Sequence, residues 1–152
     1  MFPFYKKQIR FAALSLDGKG ASSWGNCALI LKDDLIRDRA TVFEQNSVYF
    51  CREHFDDLGK GLPQGYRATW ENRHRLAVAK LGSRLNASTE NSQFPVILIS
   101  PGPSKHAEEF IEVHIYGSLH RHSVEDMAVS GPLRRADRLI FDNLRRKLVK
   151  GR

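Results

Sequence analysis

Residues 109–123 read EFIEVHIYGSLHRHS and bring two acids, three imidazoles and a phenol into one short stretch. If 110–116 is extended, side chains alternate: Phe110, Glu112, His114 and Tyr116 share one face, and Ile111, Val113 and Ile115 share the other. Alternate Cα atoms of a strand lie roughly 6.5 Å apart, near enough for a carboxylate and an imidazole to act on one substrate. The aliphatic face reads as core. The polar face admits two descriptions, a catalytic Glu112/His114 pair on the floor of a cleft or the wetted side of an antiparallel sheet.

Other chemistries find less to stand on. His106, His114, His120 and His122 crowd together, but His120 and His122 on one strand face supply two ligands where a closed zinc site needs four, so no metal is expected. There is no glycine loop ending in Lys-Ser or Lys-Thr, no GxSxG, no HExxH and no CxxC. The stretch DGKGASSWGN, with Gly18, Gly20 and Gly25, reads as a flexible loop without a strand-to-helix phosphate motif. Cys27 and Cys51 sit in apolar, strand-like runs and are expected to be buried reduced thiols. Tyr66 and Trp70, at helical spacing, are expected in the core.

The elements that must position these residues follow from periodicity. FYKKQIRFAALSL suggests a strand or short helix, NCALILK (26–32) a strand, and DDLIRD (33–38) a helical turn that Asp33 could cap. RATVFEQNSVYFCR (39–52) reads as two short strands joined at 44–46, and the segment from Glu53 to Arg67 as turns. GYRATWENRHRLAVAKLGSRL (65–85) is the best interior helix, NASTENSQ (86–93) a surface loop, and VILIS (96–100) a strand covered on both faces. SVEDMAVSGP (123–132) suggests a helical turn and a last strand. Strands through the middle with helices between and after define an α+β class, and 152 residues suit one domain spanning 1–152.

Net charge is +7, and its placement matters more than its size. Residues 131–152 hold eight basic side chains against Asp137 and Asp142, a net +6; the rest holds 16 basic and 15 acidic groups, a net +1. The tail reads as an amphipathic helix with Leu133, Ala136, Ile140, Leu144 and Leu148 docked on the body. Its other side presents Arg134, Arg135, Arg138, Arg145, Arg146 and Lys147 for weak contact with nucleic acid, another polyanion or an acidic protein. No apolar run reaches 18 residues and MFPFYKKQIR lacks a signal-peptide layout. Neither a membrane span nor classical secretion is expected, and the expected setting is the cytoplasm or cell interior.

Two stretches resemble ADP-ribosyltransferase-like domains of bacterial toxins and phage-associated effectors. SSWGNCALILKDDLIRDRATVFEQNSVYF is similar in its Trp-Gly pair, its apolar strand ending in Leu-Lys, its Arg-Ala-Thr step and its Asn-Ser end. EFIEVHIYGSLHRHSVEDMAV resembles their closing Glu-x-Gln-Ile-x-Gly strand and the short helix after it. The resemblance implies a split pair of small antiparallel sheets around a cleft that binds NAD, with ADP-ribose passed to an unidentified macromolecular acceptor. It implies that Glu112 contacts the nicotinamide ribose, that Arg39, Asn46 and Ser47 contact phosphate or ribose, and that Tyr116 belongs to the same cofactor set. His114 stands where a Glu or Gln would orient the acceptor, and Arg10 is the candidate by position for an early arginine on the first strand. The alternative from another class is a non-enzymatic binding module that works through the basic helix.

Overall fold

The computed structural model describes residues 7–54 and 65–149. Most of the turn-rich segment expected after Glu53 falls outside them, as do Lys150 and Arg152 of the basic tail. The fold is α+β, with two antiparallel sheets. The larger sheet has the order β1 (Ile9–Ala13), β5 (Glu112–Tyr116), β3 (Ala40–Phe43), β4 (Arg67–Thr69). The smaller pairs β2 (Cys27–Leu31) with β6 (Val124–Val129), with a register shift between Ile30 and Leu31.

β5 is central, with Ala13 opposite Glu112 on one side and Phe43 opposite Glu112 on the other. Its β-branched side chains suit a pleated, packed surface. Val113 and Ile115, with neighbouring Ile111 and Val42 of β3, meet Leu76 and Leu81 of α3 (Arg73–Leu81) and Leu98 of α4 (Phe94–Leu98). Full burial of each such side chain contributes about 1.5–3 kcal/mol. Lys80 of α3 spans the end of this layer, donating to the Glu44 carbonyl. Burial lowers its pKa, with Glu109 and Glu44 opposing the shift.

The opposite face of β5 is not wetted. Glu112 is 4% exposed and His114 3%, because α2 (Ser47–Glu53) lies across them and puts Phe50 edge-on to Phe43 at 5.0 Å. α2 overturns the second of the two strands expected over 39–52. Val48, Tyr49 and Phe50 have strand propensity, but the Asn46 side chain accepts from the backbone N–H groups of Val48 and Tyr49 and starts a helix instead.

Other expectations are corrected. VILIS is no central strand: 94–98 is α4, with Pro95 in its first turn and Val96 exposed. Ser100 alone bridges to Glu109. The interior helix begins at Arg73, because Arg67–Thr69 pairs with β3. Trp70 is buried ahead of that helix and Tyr66 packs on Phe50 at 4.7 Å. Asp33 does not cap α1 (Asp33–Ile36) with its side chain; it accepts from Trp70 Nε1 at 2.7 Å and Arg37 at 2.9 Å. Cys27, at the start of β2, is exposed, and Cys51, on α2 rather than on a strand, is half-buried; both are free.

α5 (Arg135–Val149) packs on β6 with a face different from the one expected. Phe141 is the buried side chain, whereas Ile140 is 57% and Leu144 45% exposed. The helix is turned by a second tether, the bidentate pair of Arg145 with Asp126 of β6, both contacts 2.7 Å. Hydrogen bonding from Arg145 lowers the Asp126 pKa to about 2. A depressed carboxylate pKa adds stability that is present above the unfolded value near 3.8 and is lost as pH falls through about 2. The melting temperature of the parent should therefore exceed that of Asp126→Asn at pH 5, and the gap should close on acidification across this window. A gap unchanged down to pH 2 would remove Asp126 from the acid response.

Candidate active site

A cleft of about 630 Å³ opens between β1 and β5 of the larger sheet and β2 of the smaller, within the size range of small-molecule sites. The glycine loop forms one wall. Gly18 (φ 73°) and Gly20 (φ 67°) occupy backbone conformations that exclude most other residues, and a Cβ on Gly18 would fall 2.6 Å from Ile30 Cδ1. The loop that reads as flexible in the sequence is thus shaped against β2.

A buried carboxylate that sequence reasoning missed secures this wall. Glu108, 4% exposed, accepts from Ser22 Oγ and the Ser23 N–H at 3.3 Å. The anchored turn sets the Trp24 ring edge-on to Phe110 at 6.3 Å, and the Lys105 ammonium stands 4.8 Å from the Trp24 centroid. Nothing in the spacing of 20–25 and 105–110 signals this contact, which joins segments 85 residues apart.

Glu112 lies at the cleft floor with Asn46 and Val48 beside it. The Ser47 N–H donates to Glu112 Oε2 at 2.5 Å and the Ser47 hydroxyl to Oε1 at 3.1 Å. His114 Nε2 is 3.2 Å from Oε1, so a proton on that nitrogen completes a third bond. The His114 ring is stacked on Phe43 (5.7 Å, 17°) and meets the Phe11 ring edge-on at 5.3 Å. Carboxylate and imidazole are therefore both locked in orientation.

This order matters chemically. In a nucleophilic triad the serine hydroxyl addresses the imidazole. Here Ser47 and His114 both address the carboxylate, so the group that the other two hold in place is Glu112. A fixed negative charge on an apolar cleft floor can stabilise positive charge developing in a substrate, and the low dielectric strengthens the effect.

The remaining candidates separate. Asn46 lines the cleft and caps α2. Arg39 and Tyr116 sit at the far end of β5 from Glu112, where the Arg39 guanidinium donates to the carbonyls of Leu35, Tyr116 and Ser118; the structure does not bring either residue to Glu112. Arg10 donates to the Lys7 and Ile9 carbonyls, also at that end. Lys19, on the glycine loop, does line the cleft. His106 packs tilted against the Tyr49 ring at 4.6 Å, His120 and His122 are exposed, and no group of three potential ligands among the described residues is placed to hold a metal. On α5, Arg134 pairs with Asp137 and Arg146 donates to Asn143, while Arg135, Arg138 and Lys147 are exposed. No helix among the described residues is long and apolar enough to cross a membrane.

Comparison with protein-family profiles, with curated proteins and with solved structures returns no match.

Proposed function

We propose that this chain cleaves the bond between nicotinamide and ribose in NAD, a reaction of ADP-ribosyltransferase type, with Glu112 as the catalytic carboxylate. One observation carries the reading: a glutamate held by three polar contacts at the floor of a cleft between two small antiparallel sheets. Its position in the chain coincides with the glutamate that the sequence resemblance assigns to the nicotinamide ribose.

The chemistry suits the geometry. As the C1′–N bond breaks, its electron pair leaves with nicotinamide and positive charge grows on C1′ and the ring oxygen of the ribose. Glu112 has its carboxylate preset for that charge, which lowers the barrier without reorganisation at the moment of reaction. Ser47 and His114 act as positioning residues. Trp24, Phe110 and Val48 offer apolar surface to the rings of the dinucleotide, and Lys19 brings a cation to the same cleft for the diphosphate, in place of Arg39.

Incubation of the purified chain with NAD should release nicotinamide at a rate proportional to protein concentration, as read by chromatography. A folded chain that releases none at millimolar NAD sinks the reading.

A second reading rests on a different observation. Ile140 and Leu144 are exposed on α5 with Lys147 on the same side of the helix, a mixed apolar and cationic surface suited to an acidic protein more than to a nucleic acid, whose backbone offers little to aliphatic side chains.

A further inference from the structure

We infer that the acceptor of the ADP-ribosyl group is water, so that the chain hydrolyses NAD to ADP-ribose and nicotinamide. This rests on the NAD-cleaving reading above and departs from the macromolecular acceptor that the resemblance implies. The hydrogen bonding of Glu112 argues for it. A carboxylate has about four lone-pair positions. Ser47 Oγ and His114 Nε2 occupy both positions of Oε1, and the Ser47 N–H occupies one of Oε2. Among the described residues a single position is left, on Oε2.

A guanidinium acceptor binds a carboxylate through two parallel bonds, one to each oxygen. Glu112 cannot offer that pair of sites without losing Ser47 or His114. A water needs one bond, and the remaining position on Oε2 supplies it. The residue two further along the strand does not assist a larger acceptor either. His114 is 3% exposed, turned toward Glu112, and closed in by Phe11 and Phe43. Steric access points the same way, since the Glu112 side chain is only 5% exposed and NAD would enter the same cleft. What reaches the carboxylate beside a bound dinucleotide must be small.

The balance is simple. The C1′–N bond breaks and its electrons stay on nicotinamide, which departs neutral. The oxygen of water bonds to C1′, and one of its protons passes to Glu112 Oε2 and from there to solvent. NAD and water give ADP-ribose, nicotinamide and one proton, with no oxidant or further reactant.

The test follows both halves of NAD. The purified full chain is incubated with NAD labelled on the adenylate phosphate, alone and with added cell-lysate proteins. Nicotinamide, free ADP-ribose and protein-bound label are measured together. The expected result is free ADP-ribose equal to nicotinamide, mole for mole, with no label on protein and no change on adding lysate. Adding methanol should divert part of the product to the methyl riboside, as a small nucleophile enters where water does. Nicotinamide released with the label on protein would overturn the inference and leave the cleavage reading intact. Absence of nicotinamide in every arm would overturn both.

Discussion

Glu112→Gln is expected to reduce nicotinamide release by about 10²–10³-fold, the usual cost of removing one preorganised electrostatic group from a reacting centre. NAD affinity should change little, because the lost interaction belongs to the charge that appears only as the bond breaks. The substitution also has a structural cost. If the new amide nitrogen faces the Ser47 N–H, two donors meet where donor met acceptor, and a buried unsatisfied donor costs about 1–3 kcal/mol. The assay must therefore be run with circular dichroism on the same sample. Glu112→Asp is the companion variant: it keeps the charge and withdraws it by one methylene, so turnover should fall while both supports can still donate. Full turnover in folded Glu112→Gln would remove this residue from the chemistry.

Phe50→Ala should destabilise the fold by about 3–5 kcal/mol, the range for deleting a fully buried aromatic ring. For a chain of 152 residues this corresponds to a melting temperature lower by roughly 10–15 °C. Phe50 has no exposed surface and touches Phe43, His54 and Tyr66. It is the residue by which α2 covers the polar face of β5, and with α2 goes Ser47. Activity should fall together with stability, unlike Glu112→Gln, where the two separate. A denaturation midpoint within experimental error of the parent would show that α2 is held by something other than this ring.

Local patterns in the sequence were enough for the strands whose side chains alternate cleanly. β2 and β5 lie within the runs that read as strands, and the register of β5 put Glu112 and His114 on one face opposite Val113 and Ile115; over 123–132 the expected last strand forms, but it begins at Val124, where a helical turn was expected, and the turn lies earlier at Arg121–Ser123. The short turn of α1 lies where DDLIRD placed it, though without the side-chain cap expected from Asp33. These are properties of neighbours along the chain, and the backbone period is local physics. Where propensity and capping disagreed, propensity misled. Asn46 and Ser47 ahead of Val48, Tyr49 and Phe50 carried a helix start that the aromatic and β-branched run concealed, and Pro95 did the same for α4. The stripe of Leu133, Ala136, Ile140, Leu144 and Leu148 met a subtler limit. An amphipathic pattern shows that a helix has an apolar side, but docking through Phe141 was decided by the shape of β6 and by Asp126 waiting for Arg145.

By itself, then, the sequence determined the α+β class, the acid-bearing strand and which residues share its two faces, because these depend on composition and on a period of two; that this strand rather than 96–100 lies inside the sheet came from the tertiary structure. Only the tertiary structure decided whether that acid was wet or buried. It did so by laying α2 across the polar face, bringing Ser47 to a carboxylate 65 positions away and turning Arg39 to the opposite end of the strand. It also drew Glu108 to the glycine loop and so gave the cleft its second wall. Contacts of this kind depend on chain closure over long separations, and no local period encodes them.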